Sequence, residues 1–194
     1  MPTTLHLVRH GEASPVEAAD PGLSDDGQRQ AHAVATRLAR ASIDALVHSP
    51  TRRARETAEI IGTHLPGVPI EPSEHADDRT PMPTDRSTVP ERYWPFLDRV
   101  PDAERDRDGR RLDAAVDHLG AVGTSDRRVI VVTHAFVIGW FVRRALDAPT
   151  WRWLGLNHLN GAVTTVEYTS DGSRLDAFND SGHLVRAGWR PGTP

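Results

Sequence analysis

Three short apolar runs, each ended by a polar residue and followed at once by a helical pattern, constrain this 194-residue chain more than any other feature. They are "LHLVRH" at residues 5–10, "DALVHS" at 44–49 and "VIVVTH" at 129–134. Runs of this length rich in Val and Leu suit buried strands, and strand-then-helix order is the signature of a parallel α/β sheet. The first run leads into "LSDDGQRQAHAVATRLARAS", where Ala31, Val34, Ala35, Leu38 and Ala39 recur at helical spacing and Ser24 or Asp25 supplies an N-cap. The second leads into "TRRARETAEIIGTHL", ended by Pro66 and Gly67, and the third into "AFVIGWFVRRAL", directly after His134.

The remaining segments are less regular. Residues 72–110 are rich in proline and charge, and "EHADDRTPMPTDRSTVP" cannot be a long regular element; it reads as an insertion that rims a site. Helical periodicity returns at 111–122. Near the end, "GAVTTVEYT" and "RLDAFND", joined at Ser170-Asp171-Gly172, read as an antiparallel hairpin on the sheet edge. With this length and 38% hydrophobic residues, we expect a single domain over residues 1–194.

Composition removes several kinds of chemistry. The chain has no cysteine, and all 23 of its basic residues are arginine. Thiolate nucleophiles, cysteine metal sites, Schiff-base lysines and the P-loop lysine are thereby excluded. A net charge of -4 argues against nucleic acid as a partner. No apolar run of about 18 residues is present to span a membrane, and no signal peptide precedes the first strand, so the expectation is a cytoplasmic protein without a membrane partner.

The ends of the three strands carry the candidate chemistry. Ligands of open α/β sheets bind outside the carboxyl ends of the strands, where Arg9-His10, Ser49 with the arginines 52, 53 and 55, and His134 would converge. Arginine forks fit phosphate oxygens, and a neutral histidine can attack phosphorus. Positioning and cationic clamps then stabilise phosphoryl transfer without a metal, so no metal or other cofactor is expected.

The motifs "LVRHGE", "HSPTRRARETAEII" and "VVTHAFV", in that order, resemble the histidine phosphatase superfamily, also called the phosphoglycerate mutase-like family. The resemblance implies a three-layer α/β/α domain with a mostly parallel central sheet. It implies that His10 is transiently phosphorylated and that Arg9, Arg53 and His134 bind the phosphoryl group. The family pattern Ser-Pro-x-x-Arg-Ala falls on Ser49, Pro50, Arg53 and Ala54, leaving Arg52 and Arg55 as helix-face charges. Gly11 resembles the family glycine that turns the chain after the nucleophile, a role consistent with glycine's tolerance of unusual dihedrals.

The family takes its general acid from a carboxylate in the insertion, where this chain offers Glu74, Asp77 and Asp78. From "THLPGV" onward, and again in "HAFVIGWFVRRAL", "GLNHLNGAVT" and "FNDSGHL", the chain is similar to the mitochondrial serine/threonine protein phosphatase branch. That branch has its acid just before a Gly-x-Pro segment. "DDRTP" places Asp78 there, with an arm one methylene shorter than glutamate. The N-terminal membrane anchor and regulatory segment of that branch are not expected here.

The expected activity is hydrolysis of phosphate monoesters on a small molecule or a phosphoprotein, through phosphohistidine at His10. Phosphoglycerate mutase-type transfer and a non-catalytic phosphoprotein-binding module are the alternatives. Trp140, Phe141, Trp151 and Trp153 read as core packing or a dimer contact, which leaves a homodimer open. Asn157 and Asn160 read as residues that fix the backbone before the late strand, and the other eight histidines as structural or surface groups.

Overall fold

The structure is a computed structural model that describes residues 1–16 and 19–188. The apolar run after Pro2 forms β1 (Thr3–Arg9), followed by α1 (Asp25–Leu38), β2 (Ala45–His48) and α2 (Arg52–Gly62). Ser24 caps α1, its side chain accepting from the Gly27 N–H, with Asp25 and Asp26 in the first turn where the helix dipole favours anions. α2 ends at Gly62, earlier than Pro66 predicts. The proline bars its predecessor Leu65 from the helical region, and Thr63 to Leu65 wind down through short turns.

The insertion contains only short elements: β3 (Ile70–Pro72), β4 (Thr80–Met82), the single turn α3 (Trp94–Leu97) and β5 (Arg105–Arg107), with one-turn 3₁₀ segments between them. β4 and β5 pair as a small parallel sheet of their own. Regular structure resumes with α4 (Arg110–Leu119), β6 (Arg127–Thr133), α5 (Ala135–Ala145), the hairpin β7 (Val163–Thr169) and β8 (Gly172–Asp180), and a short α6 (Gly182–Arg186). The buried Asp106 carboxylate accepts from the N–H groups of Arg111 and Leu112, so the insertion itself caps α4.

The main sheet has the order β3-β2-β6-β1-β7-β8, with β3, β2, β6 and β1 parallel and the C-terminal hairpin antiparallel at one edge. Strand alternation divides the core in two. Val8, Leu46, Ile130 and Val132 pack with Val34, Ala35, Ala54, Ala58 and Ile61 of α1 and α2. Leu5, Leu7, Val129 and Val131 face the other way, against Leu112, Val116, Val137 and Phe141 of α4 and α5. This is the three-layer α/β/α arrangement. Trp140, Phe141 and Trp153 are buried in the second layer as core residues.

This topology creates the cleft. β1 is followed by a helix on one face and its neighbour β6 by a helix on the other, so the chain diverges from the sheet between them. Arg9 pairs in register with Thr133, and His48 with Val132. Residues 9–10, 48–49 and 133–134 therefore stand side by side at one end of the sheet. Among the described residues, no helix is long and apolar enough to cross a membrane.

Candidate active site

His10 follows the last residue of β1 and is held by its backbone from three directions. Its N–H donates to Thr133 O at 3.0 Å, and its carbonyl accepts from Asn160 Nδ2 at 2.9 Å. The Gly11 N–H, one peptide further, donates to Thr57 Oγ1 at 3.1 Å, and that hydroxyl donates to Arg53 O at 2.7 Å. The strand leading into His10 and the helix bearing Arg53 are thus stapled together.

Gly11 has a different basis from the one expected, since it is not among the residues with positive φ. A Cβ there would stand 2.4 Å from Gly27 O, and one on Gly27 would stand 2.1 Å from Glu12 O. Both glycines exist because two backbones touch. This contact brings the start of α1 against the residues after His10.

The ring of His10 is oriented by the Gly11 carbonyl, 2.7 Å from Nδ1. Nδ1–H is the donor to that carbonyl, which leaves the lone pair on Nε2, and Nε2 lies 3.2 Å from Arg53 Nε. Burial is the main reason the His10 pKa falls to about 3, reinforced by His134 and by the cations Arg53 and Arg9, and opposed by the Gly11 carbonyl. The ring is neutral at neutral pH.

His134 is the N-cap of α5 and is nearly fully buried, its ring centroid 5.0 Å from that of His10. Burial, then Arg53 and Arg9, hold its pKa well below the ordinary value. Asp78 Oδ2 lies 3.2 Å from the His134 Nδ1, and Arg53 Nη2 donates to that nitrogen at 3.4 Å. With Nδ1 accepting from Arg53, Nε2–H donates to Ser49 Oγ at 2.9 Å, and the Ser49 hydroxyl donates its own proton to Thr51 Oγ1. The serine of the "HSP" motif therefore sets the orientation of His134.

Arg53 donates from Nη2 to Asp78 Oδ2 at 2.8 Å. The same oxygen lies against His134, so one carboxylate oxygen sits between the two side chains. Arg9 is anchored by a hydrogen bond from Nη1 to the His158 carbonyl, and burial, partly offset by Asp78, lowers its pKa. The other acid candidates stand elsewhere. Asp77 is bound to Arg79 at 2.8 Å, and Glu74 is exposed. Arg52 and Arg55 pair with Glu56 and Glu59 along α2, leaving Arg53 as the member of the triplet directed into the cleft.

The structure thus brings together all five residues singled out from the sequence: Arg9, His10, Arg53, Asp78 and His134. Sequence reasoning missed Thr57 and Thr133, and it treated His158 as an ordinary structural histidine. His158 is 2% exposed, neither ring nitrogen has a hydrogen-bond partner among the described residues, and burial followed by Arg9 lowers its pKa to about 4. Among the described residues, no group of three or more His, Cys, Asp or Glu is arranged to hold a metal ion.

The sequence pattern of the histidine phosphatase superfamily (branch 1) matches residues 5–181. The chain belongs to this superfamily. Among curated proteins, it is 31% identical over 191 residues to the mitochondrial serine/threonine-protein phosphatases PGAM5 of Rattus norvegicus and Homo sapiens. These alignments cover 93% of this chain and 63% of each relative, so the chain spans less than two thirds of their length.

Solved structures of similar fold include Bacillus stearothermophilus YhfR, with a TM-score of 0.74 at 24% identity, covering 94% of this chain and 99% of that one. A mycobacterial glucosyl-3-phosphoglycerate phosphatase superposes with a TM-score of 0.67 at 21% identity, covering 93% and 100%. At these identities the structural likeness establishes the fold of this histidine phosphatase superfamily member.

Proposed function

We propose that this protein is a phosphate monoester hydrolase that works through a phosphohistidine on His10. One observation carries the reading: the unprotonated Nε2 of a neutral His10 accepts from Arg53, and the same guanidinium, with His134 beside it, already holds a carboxylate oxygen of Asp78. A phosphoryl group entering the cleft takes the place of Asp78 Oδ2 on Arg53 and His134, with Arg9 as a third clamp.

In the first step His10 Nε2 forms a bond to phosphorus as the ester P–O bond breaks. The substrate monoanion brings the proton: it passes to Asp78 as the phosphoryl group displaces that carboxylate from Arg53, and from Asp78 to the leaving alkoxide. In the second step Asp78 accepts a proton from water as the water oxygen attacks phosphorus and the P–N bond breaks, restoring His10 and releasing phosphate. The names of the relatives favour phosphoserine- or phosphothreonine-type esters, on a protein or a small molecule.

Phosphate release from phosphopeptides, sugar phosphates, phosphoglycerates and nucleotides tests this reading, with His10→Ala as control. We expect hydrolysis by the wild type, an acid-labile phosphoenzyme on His10, and a folded control without either. Full activity in His10→Ala refutes the mechanism.

A further inference from the structure

The carboxyl of Asp78 reaches the leaving oxygen only if its backbone is held at the cleft, and the segment between β3 and β4 has little regular structure to hold it. One 3₁₀ turn, Glu74–Ala76, precedes Asp78. The Ser73 N–H donates to His48 O at 2.8 Å, which fixes the start of the segment to the end of β2. Asp77 and Arg79 pair across Asp78 at 2.8 Å.

A further tie comes from the strand that delivers His134. Thr133 is fully buried, and its hydroxyl donates to the carbonyl of Ala76, also fully buried, at 2.7 Å. The four residues before it, Val129 to Val132, are apolar, so a hydroxyl at the strand end needs a partner to be tolerated. That partner lies two residues before Asp78. The carbonyl of Thr133 meanwhile accepts from the His10 N–H at 3.0 Å. One residue therefore holds the nucleophile by its backbone, precedes His134 in the chain, and holds the acid segment by its side chain.

We infer that Thr133 is a positioning residue that sets the reach of Asp78 to the leaving group through the Thr133 Oγ1 to Ala76 O hydrogen bond. The inference rests on the phosphatase reading above. It separates two functions of one residue: the backbone bond to His10 survives any substitution that leaves the strand intact, whereas the side-chain bond does not. Loss of the hydroxyl should therefore impair proton delivery and spare nucleophilic attack. Esters that leave as alkoxides depend on the acid, and aryl esters depend on it little.

The experiment compares Thr133→Val, which keeps the branched shape, with Thr133→Ser, which keeps the hydroxyl. Turnover is measured on phosphoserine-type alkyl phosphates and on 4-nitrophenyl phosphate, with the thermal midpoint as a fold check. We expect Thr133→Val to lose about ten- to a hundredfold in kcat on the alkyl ester and less than about threefold on the aryl ester. Thr133→Ser should stay within about threefold of wild type on both, and in an Asp78→Asn background Thr133→Val should add no further loss.

Equal losses on both esters, no loss, or a full additional loss in the Asp78→Asn background overturns the inference. If the valine variant does not fold, Thr133→Ala provides the same comparison. A wild type that hydrolyses neither ester refutes the phosphatase reading and this inference with it. A wild type and Asp78→Asn that behave as that reading requires, beside a Thr133→Val identical to wild type, refute the role of Thr133 alone.

Discussion

An imidazole attacks phosphorus only through an unprotonated nitrogen, and Nε2 of His10 is one because of its surroundings, its lone pair taking a hydrogen bond from Arg53 Nε. Burial keeps the ring neutral, and the Gly11 carbonyl takes the Nδ1 proton, leaving Nε2 toward the cleft. The carboxylate of Asp78 adds a second consequence at this scale. Seated on Arg53 and His134, it competes with the phosphoryl group for the same donors. Asp78→Ala should bind inorganic phosphate several-fold more tightly than wild type, measured by calorimetry; unchanged or weaker binding would show that the two anions do not compete. Asp78→Asn should slow alkyl phosphates by about a hundredfold or more and aryl phosphates far less. An equal loss on both would move the acid role to another carboxylate.

Between elements, the site depends on close approach. The Gly11 and Gly27 backbones leave no room for a methyl group on either side. Gly11→Ala should cost about 1–3 kcal/mol, lowering the thermal midpoint by several degrees, and should cut turnover by displacing His10. A variant with wild-type midpoint and activity would show that the contact yields freely. Much at this scale was legible beforehand. β1, β2 and β6 announce themselves as apolar runs, and parallel strands place their carboxyl ends together, which is why Arg9, His10, Arg53 and His134 could be grouped. Thr57, Thr133 and Asn160 could not. They stand within the quoted segments, but nothing in those segments names their partners, which lie 46, 57 and 150 residues away in sequence. Gly11 was identified correctly but for a torsional reason, because a backbone contact between distant residues has no signature in a single segment.

For the whole molecule, the buried histidines couple stability to pH. The pKa of His10 is lowered to about 3 and that of His158 to about 4, whereas an unfolded histidine titrates near ~6.5. Between those limits the unfolded chain binds protons that the native state refuses, so stability is complete above about pH 6.5 and falls on acidification toward pH 4 and 3. Denaturant midpoints at pH 7.5 and 5 should show this decline well above the carboxylate range. Since the His158 ring has no hydrogen bond to lose, His158→Leu should make the decline shallower. An unchanged slope would exclude His158 as a contributor.

The strand order also has a consequence in time. β1 lies between β6 and β7, neither of which begins before Arg127, and β6 is the strand that joins β1 to β2. During synthesis the strand that leads into His10 precedes both of its sheet neighbours, β6 and β7, and it stays unpaired in the main sheet until β6 has followed it. The residue that would carry the phosphoryl group is therefore made well before its site, which cannot exist until β6 and β7 close around it.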